Sequence, residues 1–424
     1  MKITDLRCIH IPSLRALLLR IDTDEGIYGL SQVEMSKHAY MAPHILYYKP
    51  FIVGLDPRDV EGVMRRIRRL GGFKPWGAAV SSIEIALWDI AGKAAGVPVY
   101  RLLGGKVRDS VRPYMGGPPP FLPPQAYWKG GDRPEDYYEM ARARKESGRG
   151  MTIMKVAATF HDTRWRSVPE HHYGISYSQP RLTQFLEFAP EALAQHSGMV
   201  TPRGLERAVE CMTAVREALG DDMEMAIDCG PGWKVPGAIA FARRVEHLRP
   251  LWLEDLVTGD YTPYVSAELY REVKAKSPVM IHTGEQIYLR QNFMELIEGQ
   301  AVDVIGPDPM DIGGLAELKW VAEYADLHGI LIAPHGIGDG PIGLAALIQV
   351  CATLPDNFIA FELPAVLPEW KGLITGVVHE DMIQDGLIQV PDVPGLGIDL
   401  VEDEIRRVLG RDDTYLTDVK PVYA

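Results

Sequence analysis

Six short apolar runs in the second half of the chain, 223–228, 251–254, 279–285, 302–308, 330–335 and 358–362, each close on an acidic residue or a histidine: Asp228, Glu254, Glu285, Asp308, His335 and Glu362. These polar residues stand 26, 31, 23, 27 and 27 positions apart, near the roughly 30 residues per unit expected of eight strand-helix units in about 250 residues. From about residue 111 onward, runs rich in Ile, Val, Leu and Met alternate with helical patterns, which predicts a parallel sheet of strand-helix units. The pattern over 202–219 shows the helical half clearly: Pro202 opens it, Leu205, Val209, Met212, Val215 and Leu219 share a face, and Gly220 ends it. Chain order and strand direction then bring all six polar groups to the carboxyl ends of the strands, the catalytic face of a barrel.

The preceding segment follows a different rhythm. Strand patterns at 2–11, 14–21 and 27–33, with the turn Thr23-Asp24-Glu25-Gly26 before the last, predict an antiparallel meander. Helical patterning follows over 57–70, with Asp56 placed to cap it, and over 78–95, where Gly96 stops it. A chain of 424 residues exceeds one ordinary core, so a barrel with a smaller α+β partner is expected. An earlier barrel strand, 152–156, carries Lys155, and the next polar strand end is Asp228, so the unit between them holds an insertion. That insertion, about 158–200, is rich in His, Tyr, Pro and Ser and leaves from the catalytic side, which reads as a lid or specificity loop. The alternative is an oligomer-contact excursion without chemistry.

Charge narrows the partners. The formal net charge is −13, without a long basic tract, which argues against nucleic acid as a partner. Arg65, Arg66, Arg68 and Arg69 fit the solvated face of a helix. An anionic substrate is repelled by such a molecule as a whole, so a local cation, most naturally a bound metal, has to overcome that field at the site. The four cysteines, Cys8, Cys211, Cys229 and Cys351, are scattered, without a C-x-x-C pair, which suits a reducing cytoplasm. No signal-like start and no stretch of about 20 apolar residues stands in the sequence, so membrane association is not expected.

The strand-end residues suggest the chemistry. Asp228, Glu254 and Glu285 end three successive strands, and three carboxylates at one barrel mouth suit a single hard divalent cation; oxygen-only ligation favours Mg2+ over zinc. Any one of them alone would more often cap a strand or pair with a neighbouring cation. Asp308 and His335 end the next two strands, an order in which the aspartate fixes the tautomer of the imidazole and supports it as a general base. Glu362 follows as a hydrogen-bonding acid. Removing a hydrogen beside a carboxylate gathers two negative charges on the carboxylate oxygens, and a hard cation beside a base answers that difficulty.

The segments Thr23-Asp24-Glu25-Gly26-Ile27-Tyr28-Gly29, Ala86-Leu87-Trp88-Asp89-Ile90-Ala91-Gly92-Lys93, Gly96-Val97-Pro98-Val99-Tyr100-Arg101-Leu102-Leu103-Gly104-Gly105 and Pro394-Gly395-Leu396-Gly397 resemble those of the mandelate racemase subgroup of the enolase superfamily. The likeness runs nearly end to end. It implies a modified TIM barrel, (β/α)7β, over 111–370, and an α+β capping domain over 1–110 to which the tail, 371–424, returns. It implies that Asp228, Glu254 and Glu285 bind one Mg2+ per subunit, that Asp308 and His335 form an acid/base dyad, and that Glu362 hydrogen-bonds the substrate carboxylate. Capping loops around 33–41 and 71–77 would carry specificity, His161, His172, Tyr173 and Trp233 are the candidates for substrate contact, and relatives suggest a homo-oligomer, from dimer to octamer.

Two positions depart from that pattern. Many relatives carry Lys-x-Lys on the second barrel strand and use its second lysine as a base, whereas this chain has Lys155-Val156-Ala157. Lys155 still offers a positive charge near the substrate carboxylate, but Ala157 cannot ionise, so racemisation by two bases loses support. The segment Ala333-Pro334-His335-Gly336-Ile337-Gly338-Asp339-Gly340-Pro341-Ile342-Gly343 is similar to the corresponding stretch of galactonate-type dehydratases, yet Asp228-Cys229-Gly230 has glycine where those enzymes carry a second catalytic histidine. A histidine or Tyr173 of the insertion is the candidate to replace it. The expectation is a Mg2+-dependent dehydratase of sugar acids, aldonates or aldarates, giving 2-keto-3-deoxy acids. The alternatives are an epimerase, racemase or cycloisomerase of a hydroxy acid, or a catalytically idle relative that binds ligand.

Overall fold

The alternation of apolar side chains in the first strands serves two cores at once. Strands β1 (Ile3–Ile11), β2 (Ala16–Thr23) and β3 (Tyr28–Val33) form an antiparallel sheet in that order. Along β2, Leu17, Leu19 and Ile21 pack on helices of the same unit, while Ala16 and Leu18 join the large core on the barrel side. The second strand begins two residues later than the pattern predicts because Pro12–Leu14 forms a 3-10 turn closed by Arg15 in the left-handed region, φ 50°. The computed structural model describes residues 1–68, 77–122, 133–161, 165, 168–173, 198–230, 232–257, 266–410 and 415–417. The loop expected at 71–77 lies outside these apart from Gly77.

Helix α1 spans Val60–Ile67, with Asp59 at its N-cap position. The expected cap, Asp56, instead closes a turn by accepting from the Arg58 backbone N–H at 3.0 Å, which delays the helix start. Helix α2, Ala78–Ala95, matches its sequence signal and ends at Gly96, φ 68°. It is the keystone of the first unit. Asp89 lies buried on α2 and accepts from the Leu30 N–H at 3.0 Å, the Leu396 N–H at 2.8 Å and Lys93 Nζ at 2.7 Å. Lys93 also donates to the Tyr28 carbonyl at 3.1 Å. A Cβ on Gly29 would stand 2.0 Å from the Ala86 carbonyl oxygen, and one on Gly92 2.8 Å from the Gly395 Cα. Three motifs far apart in sequence are therefore one packed contact.

The barrel is closed. Its strands are β4 (Pro113–Tyr114), β5 (Ile153–Ala157), β6 (Glu224–Asp228), β7 (Leu253–Glu254), β8 (Ile281–Thr283), β9 (Val304–Ile305), β10 (Leu331–Ile332) and β11 (Phe361–Glu362). Six of them, β5 to β10, form one parallel ladder; bridges Met115–Met154 and Ile332–Phe358 extend it on either side, and β11 pairs in parallel with β4 to complete the ring. Between successive strands run α3 (Pro134–Glu146), α4 (Pro202–Leu219), α5 (Val235–Val245), α6 (Ala267–Lys274), α7 (Met294–Glu298), α8 (Leu315–Leu327) and α9 (Gly340–Cys351), which is (β/α)7β. The ladders are shorter than the apolar runs. Pro307 and Pro334 lack the N–H that a longer ladder needs, so β9 and β10 stop early and Asp308 and His335 stand on the loops above them.

Inside the ring, Tyr114, Ile153, Ala226, Trp252, Val304, Ala333 and Ala360 form a separate apolar cluster. Because side chains repeat every second residue, the positions two further on, Lys155, Asp228, Glu254 and Glu362, face inward at the mouth. The tail returns to the first unit: β12 (Ile374–Gly376) pairs with β13 (Ile398–Leu400), and helix α10 (Glu402–Leu409) follows. Asp399 accepts from Tyr28 at 2.6 Å, Arg20 pairs with Glu402, and Cys8 and Leu416 exchange backbone hydrogen bonds of 3.0 and 2.8 Å. Among the described residues no helix is long and apolar enough to cross a membrane, and all four cysteines are buried and unpaired by disulfide.

We predict that Asp89→Ala, which strands two buried N–H donors and Lys93, lowers unfolding stability by about 3–5 kcal/mol. Denaturant titration checks this, and a loss under about 1 kcal/mol would contradict the keystone role.

Candidate active site at the barrel mouth

One buried ammonium organises the inner wall of the mouth. Lys155 Nζ lies 2.7 Å from Glu254 Oε1, 3.0 Å from Glu362 Oε1 and 3.2 Å from Asp228 Oδ2. Burial opposes its charge, yet Glu254, Glu362, Tyr114 and Asp228 outweigh burial, and its pKa lies well above the usual lysine value. Glu254 is oriented from behind by Trp252 Nε1 at 2.9 Å, and Asp228 by the Gly230 N–H at 3.1 Å. Gly116 leaves room for Glu362, since a Cβ there would stand 1.7 Å from Glu362 Oε1.

Of the three acids read as metal ligands, Asp228 and Glu254 lie together and Glu285 stands beside His335. Asp228 and Glu254 are gathered with Asp255, one oxygen of each lying within 4.8 Å of the others. Asp255 escaped the sequence reading because alternation sends the residue after Glu254 away from the mouth; its left-handed backbone, φ 51°, turns it back. Thr283 Oγ1 holds it at 2.6 Å, and burial together with Glu285, Glu254 and Asp228 pushes its pKa well up. Glu285 is turned onto the histidine: its Oε2 lies 3.0 Å from His335 Nε2. Burial would raise the Glu285 pKa, but His335 and Lys155 hold it well below the usual range, and Glu285 is near enough that its charge acts on Asp228.

His335 Nδ1 lies 2.7 Å from Asp308 Oδ2, and Asp308 is itself fixed by the Met310 N–H at 2.6 Å. This leaves Nε2 facing the mouth, 3.3 Å from Glu362 Oε2 as well as beside Glu285. Burial disfavours the imidazolium, but Glu285, Glu362 and the Asp308 hydrogen bond overcome it and raise the His335 pKa well above the ordinary histidine value. Six carboxyl groups, Asp228, Glu254, Asp255, Glu285, Asp308 and Glu362, thus meet Lys155 and His335, with His161 Nε2 3.6 Å from Asp228 and His282 Nδ1 3.5 Å from Glu254. A donor set of buried oxygens carrying an excess of negative charge fits a hard divalent cation.

The other sequence candidates are dispersed. His161, on a 3-10 turn at Thr159–His161, points Nε2 toward Asp228 Oδ2 at 3.6 Å and is 31% exposed. His172 is buried in a short ladder, His172–Tyr173 with Met199–Val200, and Tyr173 is 56% exposed. Trp233 is buried, stacks on Phe241, and donates from Nε1 to Thr159 Oγ1 at 3.0 Å, so it underpins the 159–161 turn. Residues 174–197 of the insertion lie outside the described residues.

The first unit reaches the mouth through Lys37, which sequence reading passed over because its partners are remote. Its ammonium is buried on Asp311 and lies 3.8 Å from Glu34 Oε2; the Met35 N–H donates to the Gly338 carbonyl at 2.7 Å. Burial pushes Glu34 up to about 7 and Asp311 to about 6 in spite of Lys37. Glu84 of α2 completes the docking by accepting from the Leu315 and Ala316 N–H groups at 2.8 and 3.0 Å, which caps α8.

Residues 184–404 match the family model "Enolase C-terminal domain-like", and residues 11–104 match "Mandelate racemase / muconate lactonizing enzyme, N-terminal domain". The chain is 30% identical over 397 residues to a D-xylonate dehydratase of Haloferax volcanii, covering 92% of this chain and 84% of that protein. It is 29% identical over 354 residues to a D-galactonate dehydratase of Verminephrobacter eiseniae, covering 82% and 78%. A crystal structure of a mandelate racemase/muconate lactonizing enzyme-like protein from Rubrobacter xylanophilus superposes with a TM-score of 0.74 at 31% identity, over 97% of this chain and 98% of that one.

Glu34 and Asp311 keep their protons in the fold at pH values where the unfolded chain has lost them. Stability from these groups is therefore fully present below their ordinary pKa values, 4.5 and 3.8, and is lost as pH rises through about 6 to 7. Glu34→Gln is expected to flatten the fall in thermal midpoint between pH 5 and pH 8. A fall as steep as the wild type's would contradict the assignment.

Proposed function

The chain belongs to the mandelate racemase / muconate lactonizing enzyme family of the enolase superfamily, and from that premise we propose that it is a hydro-lyase of the sugar acid dehydratase kind, dependent on Mg2+. The observation that carries this reading is His335, held through Nδ1 by Asp308 at 2.7 Å, with Nε2 turned to the carboxylates that surround Lys155. The named activities of the D-xylonate and D-galactonate dehydratases support aldonates as the substrate class.

In this reading the neutral form of His335 acts: a cation held by Glu285 would offset the carboxylate charge that favours the imidazolium, and Nε2 takes the proton from the carbon beside the substrate carboxylate. Asp308 keeps the imidazole in the tautomer that presents Nε2 and steadies it once protonated. Lys155 and Glu362 bind the substrate carboxylate, the ammonium by charge and the acid by hydrogen bonding. Asp228, Glu254 and Glu285 would hold Mg2+, with Asp255 beside them. Mg2+, when bound, supplies fixed positive charge for the negative charge that gathers on the substrate carboxylate oxygens. Loss of the β-hydroxyl as water leaves an enol, whose keto form is a 2-keto-3-deoxy acid. Ala157 gives the second-strand end no ionisable group, so the proposal has a single base for this proton, and dehydration fits that better than racemisation. The same proposal divides the chain into a capping domain, 1–110, a barrel, 111–370, and a returning tail, 371–424, in a cytoplasmic homo-oligomer acting on a small molecule.

Purified protein with Mg2+ is expected to convert at least one member of an aldonate and aldarate panel into a semicarbazide-reactive keto acid, and to lose this activity in EDTA. His335→Asn, which keeps an N–H for Asp308, should lower turnover by at least about 10³-fold in a variant that still folds, as checked by circular dichroism. Silence of the wild type across the panel, or an active His335→Asn variant, would overturn the proposal.

A further inference from the structure

The third barrel strand ends in Asp228, Cys229 and Gly230, with no proton-bearing side chain beyond the buried aspartate and thiol. The start of the insertion is built onto that strand end. The Ala158 N–H donates to the Asp228 carbonyl at 2.8 Å, Thr159 Oγ1 to the Cys229 carbonyl at 3.1 Å, and Trp233 Nε1 to Thr159 Oγ1 at 3.0 Å. Thr159 is held at φ 54°, and the turn closes with the His161 N–H on the Ala158 carbonyl at 3.1 Å.

Glycine at 230 is what admits this turn. Gly230 has φ 61°, and a Cβ there would lie 2.8 to 2.9 Å from the backbone N, Cα and Cβ of His161. A residue with a side chain at 230 and His161 in its present place exclude each other. The imidazole delivered by the turn is part-exposed and reaches to 3.6 Å from Asp228. The other groups of the insertion raised above are placed differently: His171 and His172 are buried and Tyr173 points to solvent. Lys155 is committed to three carboxylates.

We propose that His161 serves the leaving hydroxyl, hydrogen-bonding it and handing it the proton with which it departs as water. The proposal rests on the dehydratase reading and deepens it. β6, beneath His161, and β10, beneath His335, are the third and seventh strands of the eight-stranded ring and therefore face each other across the mouth. The base and the proton donor address the substrate from opposite sides. The α C–H pair becomes the new C=C bond, the β C–O bond breaks with its electrons on oxygen, His335 ends protonated, and His161 ends neutral. Solvent returns the two imidazoles to their starting states when the enol becomes the ketone.

The test compares wild type and His161→Gln in D2O with Mg2+ and whichever panel compound the wild type dehydrates, following keto acid formation and, by proton NMR, deuterium at the α-carbon of recovered substrate. His161→Gln should slow keto acid formation by about 10²-fold or more, while still exchanging the α-hydrogen and melting like the wild type. Such a split between exchange and elimination is not produced by a merely structural role. Wild-type elimination by His161→Gln, or loss of exchange and elimination together, overturns the role of His161 and leaves the dehydratase reading standing. A wild type that dehydrates nothing overturns the reaction and this assignment with it.

Discussion

Gathering six carboxyl groups at the mouth of one small barrel is electrostatically costly, and much of the structure around the mouth answers that cost. Lys155 alone compensates parts of three carboxylates, Asp228, Glu254 and Glu362, and His335 compensates parts of three, Glu285, Asp308 and Glu362. Asp255 is pushed toward its protonated form, and even so Lys155 and His335 leave carboxylate charge over; buried charge without a partner costs several kcal/mol per group. A divalent cation held by these acids would remove the remaining imbalance, and would offer an anionic substrate a positive field within a molecule of net charge −13.

The first unit is tied to this electrostatic centre at several points. Glu84 caps α8, whose preceding loop carries Asp308 and Asp311, and Lys37 sits on Asp311. Asp89 holds α2, β3 and the tail in one piece, so an error in the tail would be transmitted through α2 to the loop that positions the dyad. This gives a physical reason for motifs at positions 23–29, 86–93 and 394–397 to occur together in one chain, although none of them touches the carboxylate cluster.

Much of the fold was legible because its signals are local. The helices at 78–95 and 202–219 are bounded by Gly96, by Thr201 with Pro202, and by Gly220, and the structure places them there. The acids were legible through their spacing, a property of chain length per strand-helix unit. What escaped depends on single dihedrals or distant partners. Asp255 enters the mouth only because its φ is 51°; Lys37 is meaningful only beside Asp311, 274 residues away; and Glu285, legible by its spacing, has a direction that was not, onto His335 Nε2 at 3.0 Å. The helix at Val60–Ile67 starts late because Asp56 satisfies a turn first, a competition between two local hydrogen bonds that composition cannot rank.

The floor of the site explains why these charges act so strongly. Tyr114 and Trp252 meet edge to face, 5.4 Å between ring centroids, and with the small residues Ala226, Ala333 and Ala360 they fill the ring directly below the polar layer. These residues are all buried, and Trp252 gives its one N–H to Glu254. The strand period then forces the chemistry upward: a position that packs apolar at mid-barrel puts its second neighbour at the mouth, on a wall with low polarisability behind it and the substrate in front. Charges fixed on such a wall interact more strongly than the same charges in water, and do not have to reorganise as the reaction proceeds. The apolar plug and the acid-base layer are therefore one construction, read from alternate residues of the same segments: Ile153 and Lys155, Ala226 and Asp228, Trp252 and Glu254, Ala333 and His335, Ala360 and Glu362.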